Sequence, residues 1–464
     1  MVETNRASPV VAILAILALA LGLLVPVPAV AQLESFQPWI DYIAEKSTRR
    51  WEGQRVDRPD PTPRPDLPLR ARSLLRPLSV HAGPAVSDRQ VEVALRAYEK
   101  AYDLLWQTHW GAPLLDGGNG GTGGHDLYLI PGLGEEASGV GIDGDLWWSF
   151  LDAGTSFAMV DPAASRFEAC VASAYAEQVL VSRDPAEAEG WRRATADFLA
   201  WLMTGEYGCG DAVSRRQAEP HVGWVANDLA DGGGALFLTL LSDRHDRGSG
   251  NFINDLWQVL RQRTWDGVGY RGSPDMYEAI GVSVDLAGDK MNEAIEEFGV
   301  ARWFTGDRRR EVGAPKPVLM GLPEEARIPL MDTIRWDELP EHTPVSPNEI
   351  QPYGSAYVMV DVREAPVGSI LRTWLRGEFG VLWSFVAVRL DGEGRELGRM
   401  TAPVRRTPRS YLVVEVFEGT EQVLLVATNL SARPLDADTP DQNARSFKMI
   451  VDRHQGFGEG AVPE

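Results

Sequence analysis

The chain has 464 residues, 44% of them apolar, enough for more than one hydrophobic core and ordinary for a soluble globular protein. Its 66 acidic residues against 45 basic ones leave a net charge of −21, which repels phosphate backbones and anionic lipid surfaces. Nucleic acid is therefore excluded as an expected partner, and so is a membrane beyond any export segment.

Residues 1–31 read as an export signal. Arg6 leads, an apolar run extends from Val10 to Val25, and Ala29-Val30-Ala31 precedes Gln32, the expected mature start. This predicts a periplasmic or extracellular location. The alternative is an uncleaved anchor, because Glu3 opposes Arg6. A short amphipathic stretch, Trp39 to Ile43, leads into a segment where Pro59, Pro61, Pro63, Pro65 and Pro68 stand among arginines, so residues 32–79 read as a linker or an extended strap.

Folded structure is expected over 80–314. Ser87 to Gln90 has capping-box spacing, and Val91, Ala94, Leu95, Tyr98, Ala101, Tyr102 and Leu105 recur at helical steps. The run Gly117 to Gly124 precedes a strand and lacks the Lys-Ser or Lys-Thr of a phosphate cradle, so it reads as a floppy surface loop. Leu127–Ile130 and Ser156–Val160 read as strands. From Ser165 the chain turns mainly helical: Ser165 to Glu168 repeats the capping-box spacing, Asp184-Pro185-Ala186-Glu187 opens a second helix and Gly205 closes it. Further helices are expected near 233–244, 252–263 and 290–305.

Residues 315–345 read as a second linker. Over 346–455 the pattern becomes strand-like, at Ala356–Val362, Ile370–Leu375, Leu382–Leu390, Glu396–Thr401, Tyr411–Phe417, Val423–Asn429 and Phe447–Val451, which predicts an antiparallel β-sandwich; residues 456–464 form a loose tail. The expected fold class is α+β. Cys170 and Cys209 are the only cysteines. One lies early in a predicted helix and the other just past the next, so an antiparallel hairpin in an oxidising compartment would pair them; the alternative is two buried thiols.

The seven histidines, at 81, 109, 125, 221, 245, 342 and 454, include no two that are four residues apart, so the zinc-binding pattern H-E-x-x-H is absent. Its frame is nonetheless recognisable in Val171-Ala172-Ser173-Ala174-Tyr175-Ala176-Glu177 and in Trp191-Arg192-Arg193-Ala194-Thr195-Ala196-Asp197-Phe198. These two stretches resemble the motif helix and the following helix of secreted bacterial metallopeptidases of the gluzincin type, and in order and spacing the likeness extends from about His81 to Val451. The resemblance implies a mostly helical, zincin-like domain with a small edge sheet, in which Ser173 stands for the first histidine, Ala174 for the catalytic glutamate, Glu177 for the second histidine and Arg193 for the third ligand. Tyr175, Asp197 and His221 are the candidate cleft residues.

A serine hydroxyl is a poor neutral ligand, alanine cannot take a proton from water, and a guanidinium puts fixed positive charge where the ion belongs. No zinc, no other metal and no catalytic residue is therefore expected. Glu177 and Arg193 are expected either to replace the metal with an ion pair or to be solvated. The functional expectation is a non-catalytic, metallopeptidase-like protein that binds a polypeptide or a cell-surface component. The competing expectation is a working peptidase or other hydrolase, using unrecognised ligands or a carboxylate pair drawn from Asp143, Asp145, Asp197, Asp228 and Asp231.

Overall fold

A computed structural model of the chain describes residues 55–56, 61–143, 153–185, 187–223, 233–260, 270–271, 276–305, 326–342, 348–378, 381–402, 409–430 and 444–454. All of them belong to one unit, Gln54–Glu464. The export signal, the stretch from Trp39 to Ile43, Asp145, Asp228, Asp231 and the tail 456–464 lie outside the described residues.

After a two-residue strand, β1 (Arg55–Val56), the first sheet is built from β2 (Leu69–Arg72), β3 (Leu78–Ala82), β4 (His125–Leu129), β5 (Gly139–Ile142) and β6 (Ser156–Val160), in the order β2-β3-β4-β6-β5. β3, β4 and β6 run parallel, while β2 and β5 are antiparallel edges. All five residues of β3 and of β4 are buried, as expected for central parallel strands covered on both faces. Between those strands runs α1 (Asp88–Gln107), whose N-terminus closes with the Ser87–Gln90 capping box and whose buried stripe includes Val91, Ala94, Tyr98, Ala101 and Leu105.

The sheet begins earlier than the sequence suggests, because β2 and the first two residues of β3 fall inside the expected linker. The proline-rich strap is also tied down. The Thr62 amide donates to the Ile142 carbonyl at 2.9 Å, and the Ile142 amide donates to Thr62 Oγ1 at 3.2 Å, so the strap occupies one end of the β5 edge. Arg64 pairs with Asp116, Asp126 and Asp143 at 2.6–2.8 Å, bonds the Asn119 carbonyl, and lies 4.7 Å over the Phe157 ring. Its hydrogen-bonding partners stand 52 to 79 residues further on, out of reach of any local reading.

The glycine-rich run is a surface loop as expected, but one shaped around this cage. At Gly120, where φ is 78°, a Cβ would lie 2.5 Å from Asp126 Oδ2 and 2.7 Å from Arg64 Nη1, so only glycine lets the loop close on the charges.

Among the described residues, seven helices and a short strand follow: α2 (Phe167–Val181), α3 (Glu189–Thr204), α4 (Ala212–Ala218), α5 (Ala235–Asp246), α6 (Asn251–Leu260), β7 (Tyr270–Arg271, paired with β1), α7 (Met276–Leu286) and α8 (Met291–Ala301). Gly205 ends α3 at φ 83°, as expected. The expected capping box of α2 does not form: Arg166 is the N-cap residue, and the Ser165 amide bonds Glu135 Oε1 across the loop instead.

The strand-rich region starts at β8 (Asp332–Arg335) and β9 (Glu341–His342), both inside the expected second linker, and continues through β10 (Ser355–Asp361), β11 (Ile370–Gly377), β12 (Trp383–Leu390), β13 (Glu396–Thr401), β14 (Arg409–Glu415), β15 (Gln422–Asn429) and β16 (Phe447–His454). Its strands form a five-stranded sheet, β13-β12-β15-β10-β8, and a four-stranded sheet, β14-β11-β16-β9. Val358, Phe385 and Leu425 of the first share a buried cluster with Leu371, Val414 and Met449 of the second. The opposite face of the five-stranded sheet, at Tyr357, Val386 and Leu424, packs on Val300, Trp303 and Phe304 at the end of α8. The chain is thus α+β, with helices, several sheets and a strand-rich C-terminal region.

Removing Arg64 strands three buried carboxylates. Arg64→Gln is expected to cost about 3–5 kcal/mol in urea unfolding, against less than about 1 kcal/mol for Arg70→Gln, whose partner Asp88 is almost fully exposed. Equal losses in the two variants would sink the cage as a structural pin.

Candidate functional site

α2 and α3 form an antiparallel hairpin, and their polar residues meet across it. Ser173 and Glu177 lie one turn apart on α2, Arg193 and Asp197 one turn apart on α3. Ser173 Oγ donates to Asp197 Oδ1 at 2.8 Å. The Arg193 charge acts on both the Glu177 and the Asp197 carboxyls. Three of the four motif positions, Ser173, Glu177 and Arg193, therefore gather with Asp197 at one place, while Ala174 faces the apolar core at 1% exposure.

The Glu177–Arg193 ion pair does not form. Arg193 donates through Nη1 to the Glu136 carbonyl at 2.9 Å and pairs through Nη2 with Glu189 at 2.8 Å, one turn back on its own helix. The cation within ion-pair range of Glu177 is Arg192, with Nε 3.9 Å from Oε1. The local i, i+4 partner and the loop carbonyl hold the Arg193 fork, leaving Glu177 to feel it only at longer range.

Both carboxyls are nearly sealed from water, Glu177 at 3% and Asp197 at 6% exposure. Burial raises the Glu177 pKa, and Arg193 and Arg192 only partly oppose it. Burial pushes Asp197 up to about 7, with the Ser173 hydroxyl lowering it and the Glu177 charge raising it further. Two glycines allow this closure. A Cβ on Gly139 of β5 would stand 3.0 Å from Glu177 Oε2, and one on Gly208 would fall 1.5 Å from Asp197 Oδ1. Next to Gly208, Cys209 forms a disulfide with Cys170 of α2, fastening the segment after α3 over the hairpin.

The remaining candidates lie elsewhere. Tyr175 is fully buried on the far side of α2, edge-on to Tyr98 at 5.1 Å, because two residues along a helix is about 200° of rotation from Ser173. It is a core residue, not a cleft residue. The His221 carbonyl accepts from Gln351, which places it at the start of the strand-rich region. Asp143 belongs to the Arg64 cage and Asp197 to the hairpin, so these two carboxylates do not form a pair. Of the other histidines, His81 bonds Asp126, His125 is buried with its pKa lowered by burial to about 4, and His245 stacks on Phe252 at 4.4 Å.

Among the described residues, no group of three or more His, Cys, Asp or Glu side chains is placed to hold a metal ion. The hairpin cluster in particular does not fit zinc, since its donors are a neutral hydroxyl and two carboxyls held toward their protonated forms beside two arginines.

No family model matches the chain, and no curated protein does. Among solved structures, it is similar to the enzymatically active domain of tailspike protein 4 of bacteriophage CBA120, at 13% identity with a TM-score of 0.16. That match covers 22% of this chain and only 14% of the tailspike chain, a likeness too small to bear on fold or function.

The Asp197 pKa, raised from 3.8 to about 7, fixes the sign of a pH effect. The folded state binds this proton more tightly than the unfolded chain, so the stabilisation is complete below pH 4 and is lost as pH rises through 7. Asp197→Asn, which keeps the shape and an acceptor for Ser173, should therefore unfold at higher urea than the parent at pH 8, by roughly 2–4 kcal/mol, with little difference at pH 4. A variant equally destabilised at both pH values would mean that Asp197 is ionised in the fold.

Proposed function

We propose that this chain is an exported, metallopeptidase-like protein without peptidase chemistry, which binds a polypeptide or a cell-surface component. The observation that carries this reading is the meeting of Ser173 and Glu177 with Arg193 and Asp197 across the α2–α3 hairpin. Two residues one turn apart on the first helix face a residue from the second, as the gluzincin resemblance requires, while the side chains themselves suit protons better than a divalent ion. The order of elements supports it as well: a parallel sheet with an antiparallel edge strand, β5, comes first and has Gly139 against Glu177, and the two motif helices follow. On this reading the helical region is zincin-like and the two C-terminal sheets form a β-sandwich. The Cys170–Cys209 disulfide supports export, since such bonds persist in oxidising compartments.

A second reading, a hydrolase run by the Glu177–Asp197 carboxyls, draws on their mutual influence and on the raised Asp197 pKa. Their burial weighs against it, because substrate and water must reach a catalytic carboxyl.

The test has two arms. Purified protein is expected to carry no stoichiometric zinc by elemental analysis and to leave unfolded casein uncut, with or without a chelator. The triple variant Ser173→His, Glu177→His, Arg193→Glu is expected to gain one tightly held zinc, since it restores three ligands on the two helices. Chelator-sensitive cleavage by the parent would overturn the absence of chemistry, and a triple variant that folds but ignores zinc would overturn the placement of the motif.

A further inference from the structure

A strand at the edge of a sheet presents unpaired amides and carbonyls, and natural sheets guard against a second strand settling there. Among the described residues the other edges are blunted: β1, β7 and β9 hold two residues and β8 four, β2 slips register against β3, β13 slips against β12 beside Leu390, and the Thr62 amide occupies one end of β5. β14 is the exception. Its seven residues pair with β11 without a shift, and the middle of the strand, Ser410-Tyr411-Leu412-Val413-Val414, contains no charge, proline or glycine. No described strand lies on its other side.

The ladder fixes what that open side presents. Val416 gives its amide to the Ser369 carbonyl at 2.9 Å, and alternate residues of an antiparallel strand turn to the same neighbour, so Val414, Leu412 and Ser410 direct their backbone groups to β11. Glu415, Val413 and Tyr411 therefore direct theirs to the open side. Their side chains lie on the outer face of the sheet, with Tyr411 45% and Val413 39% exposed.

The strand is also complementary to itself. Laid antiparallel on a second copy about Leu412, it sets Leu412 opposite Leu412, Tyr411 opposite Val413 and Glu415 opposite Arg409, and it keeps outward residues with outward and inward with inward. Tyr411 and Val413 then exchange amide and carbonyl in both directions. An aromatic residue beside a β-branched one is a favourable cross-strand pair, and the strand ends oppose unlike charges. Arg409 also has a partner in its own chain, so the ends add compatibility while the middle supplies the attraction.

We propose that two copies of this chain pair β14 to β14 in this register, joining their four-stranded sheets into one continuous sheet. The two-fold axis at Leu412 closes the contact, so association stops at the dimer. Repulsion between two chains of net charge −21 is spread over their surfaces and is screened beyond about 8 Å at physiological salt, whereas the backbone bonds are local. This inference rests on the strand-rich region and is independent of the α2–α3 hairpin.

The experiment uses the full chain at about 0.15 M salt. Sedimentation equilibrium over roughly 1–100 µM is expected to show a mass that rises from one chain to two and no further. Val413→Pro removes an amide that faces the open side, where an edge strand accepts proline, and should weaken association at least about tenfold with an unchanged urea midpoint. The double variant Tyr411→Cys, Val413→Cys sets cysteines opposite one another in the paired copies and should cross-link as a dimer under mild oxidation, whereas Tyr411→Cys alone should not. The native cysteines are already bonded and do not compete. Should Val413→Pro lower the urea midpoint, the cysteine pair still decides. A parent chain that stays monomeric, a folded Val413→Pro that associates as well as the parent, or a dimer in which the double variant fails to cross-link would overturn the proposal. So would an edge that takes up an added extended peptide while the chain itself remains single.

Discussion

The polar residues of the hairpin are arranged around a helix that has almost no exposed surface. From Ala169 to Val181 all but Ser173 of α2 is buried, so the helix is apolar nearly all round and is packed on all sides. Four alanines, at 169, 172, 174 and 176, keep it slim enough for the sheet, α1 and α3 to approach. Every polar group on such a helix must find a partner inside the protein or carry the cost of lacking one. Gln178 finds two, accepting from the Tyr98 hydroxyl and donating to the Ser156 carbonyl at 3.1 Å. Ser173 finds Asp197. Glu177 is served less well, with Arg192 at the limit of ion-pair distance, and the buried Tyr175 hydroxyl has no hydrogen-bond partner among the described residues.

The two buried charge clusters solve this problem in opposite ways. In the Arg64 cage one planar guanidinium meets three carboxylates with short bonds from all its nitrogens, and the glycine loop bends to make room. In the hairpin burial drives the carboxyls toward their protonated forms, and the arginines that oppose it are themselves held by Glu189 and by the carbonyls of Glu136, Pro185 and Glu187. The first arrangement is what structural pinning looks like. The second leaves electrostatic cost standing, the pattern expected where a site was shaped for something other than stability.

How much of this could be read in the sequence depended on distance along the chain. Strands β10 to β16 emerged within a few residues of their ends, with Glu396–Thr401 and, in the first sheet, Ser156–Val160 at their full bounds, because alternation and turn residues are local signals. Gly205 as a helix stop and the Ser87 cap are local in the same sense. What escaped was non-local. β2, β8 and β9 are short and lack alternation, and they exist only because β3, β10 and β16 recruit them. Arg64 is one arginine among many until the fold delivers Asp116, Asp126 and Asp143 to it. In the hairpin, Ser173, Glu177 and Arg193 were found from the motif frame. The partner of Arg193 was not, since the nearby Glu189 on its own helix prevailed over Glu177 across the hairpin.

Glu177 and Asp197 are coupled across the hairpin, the Glu177 charge adding to what burial does to Asp197. The two buried carboxyls repel one another, and in a buried site that repulsion is hardly screened by water. Taking up a proton near neutral pH relieves it, and Asp197 is placed to do so because the Ser173 hydroxyl can accept from a protonated carboxyl as readily as it donates to an ionised one. The hydroxyl and the arginines are therefore best understood together: the arginines supply long-range positive charge, and the serine adapts to either protonation state.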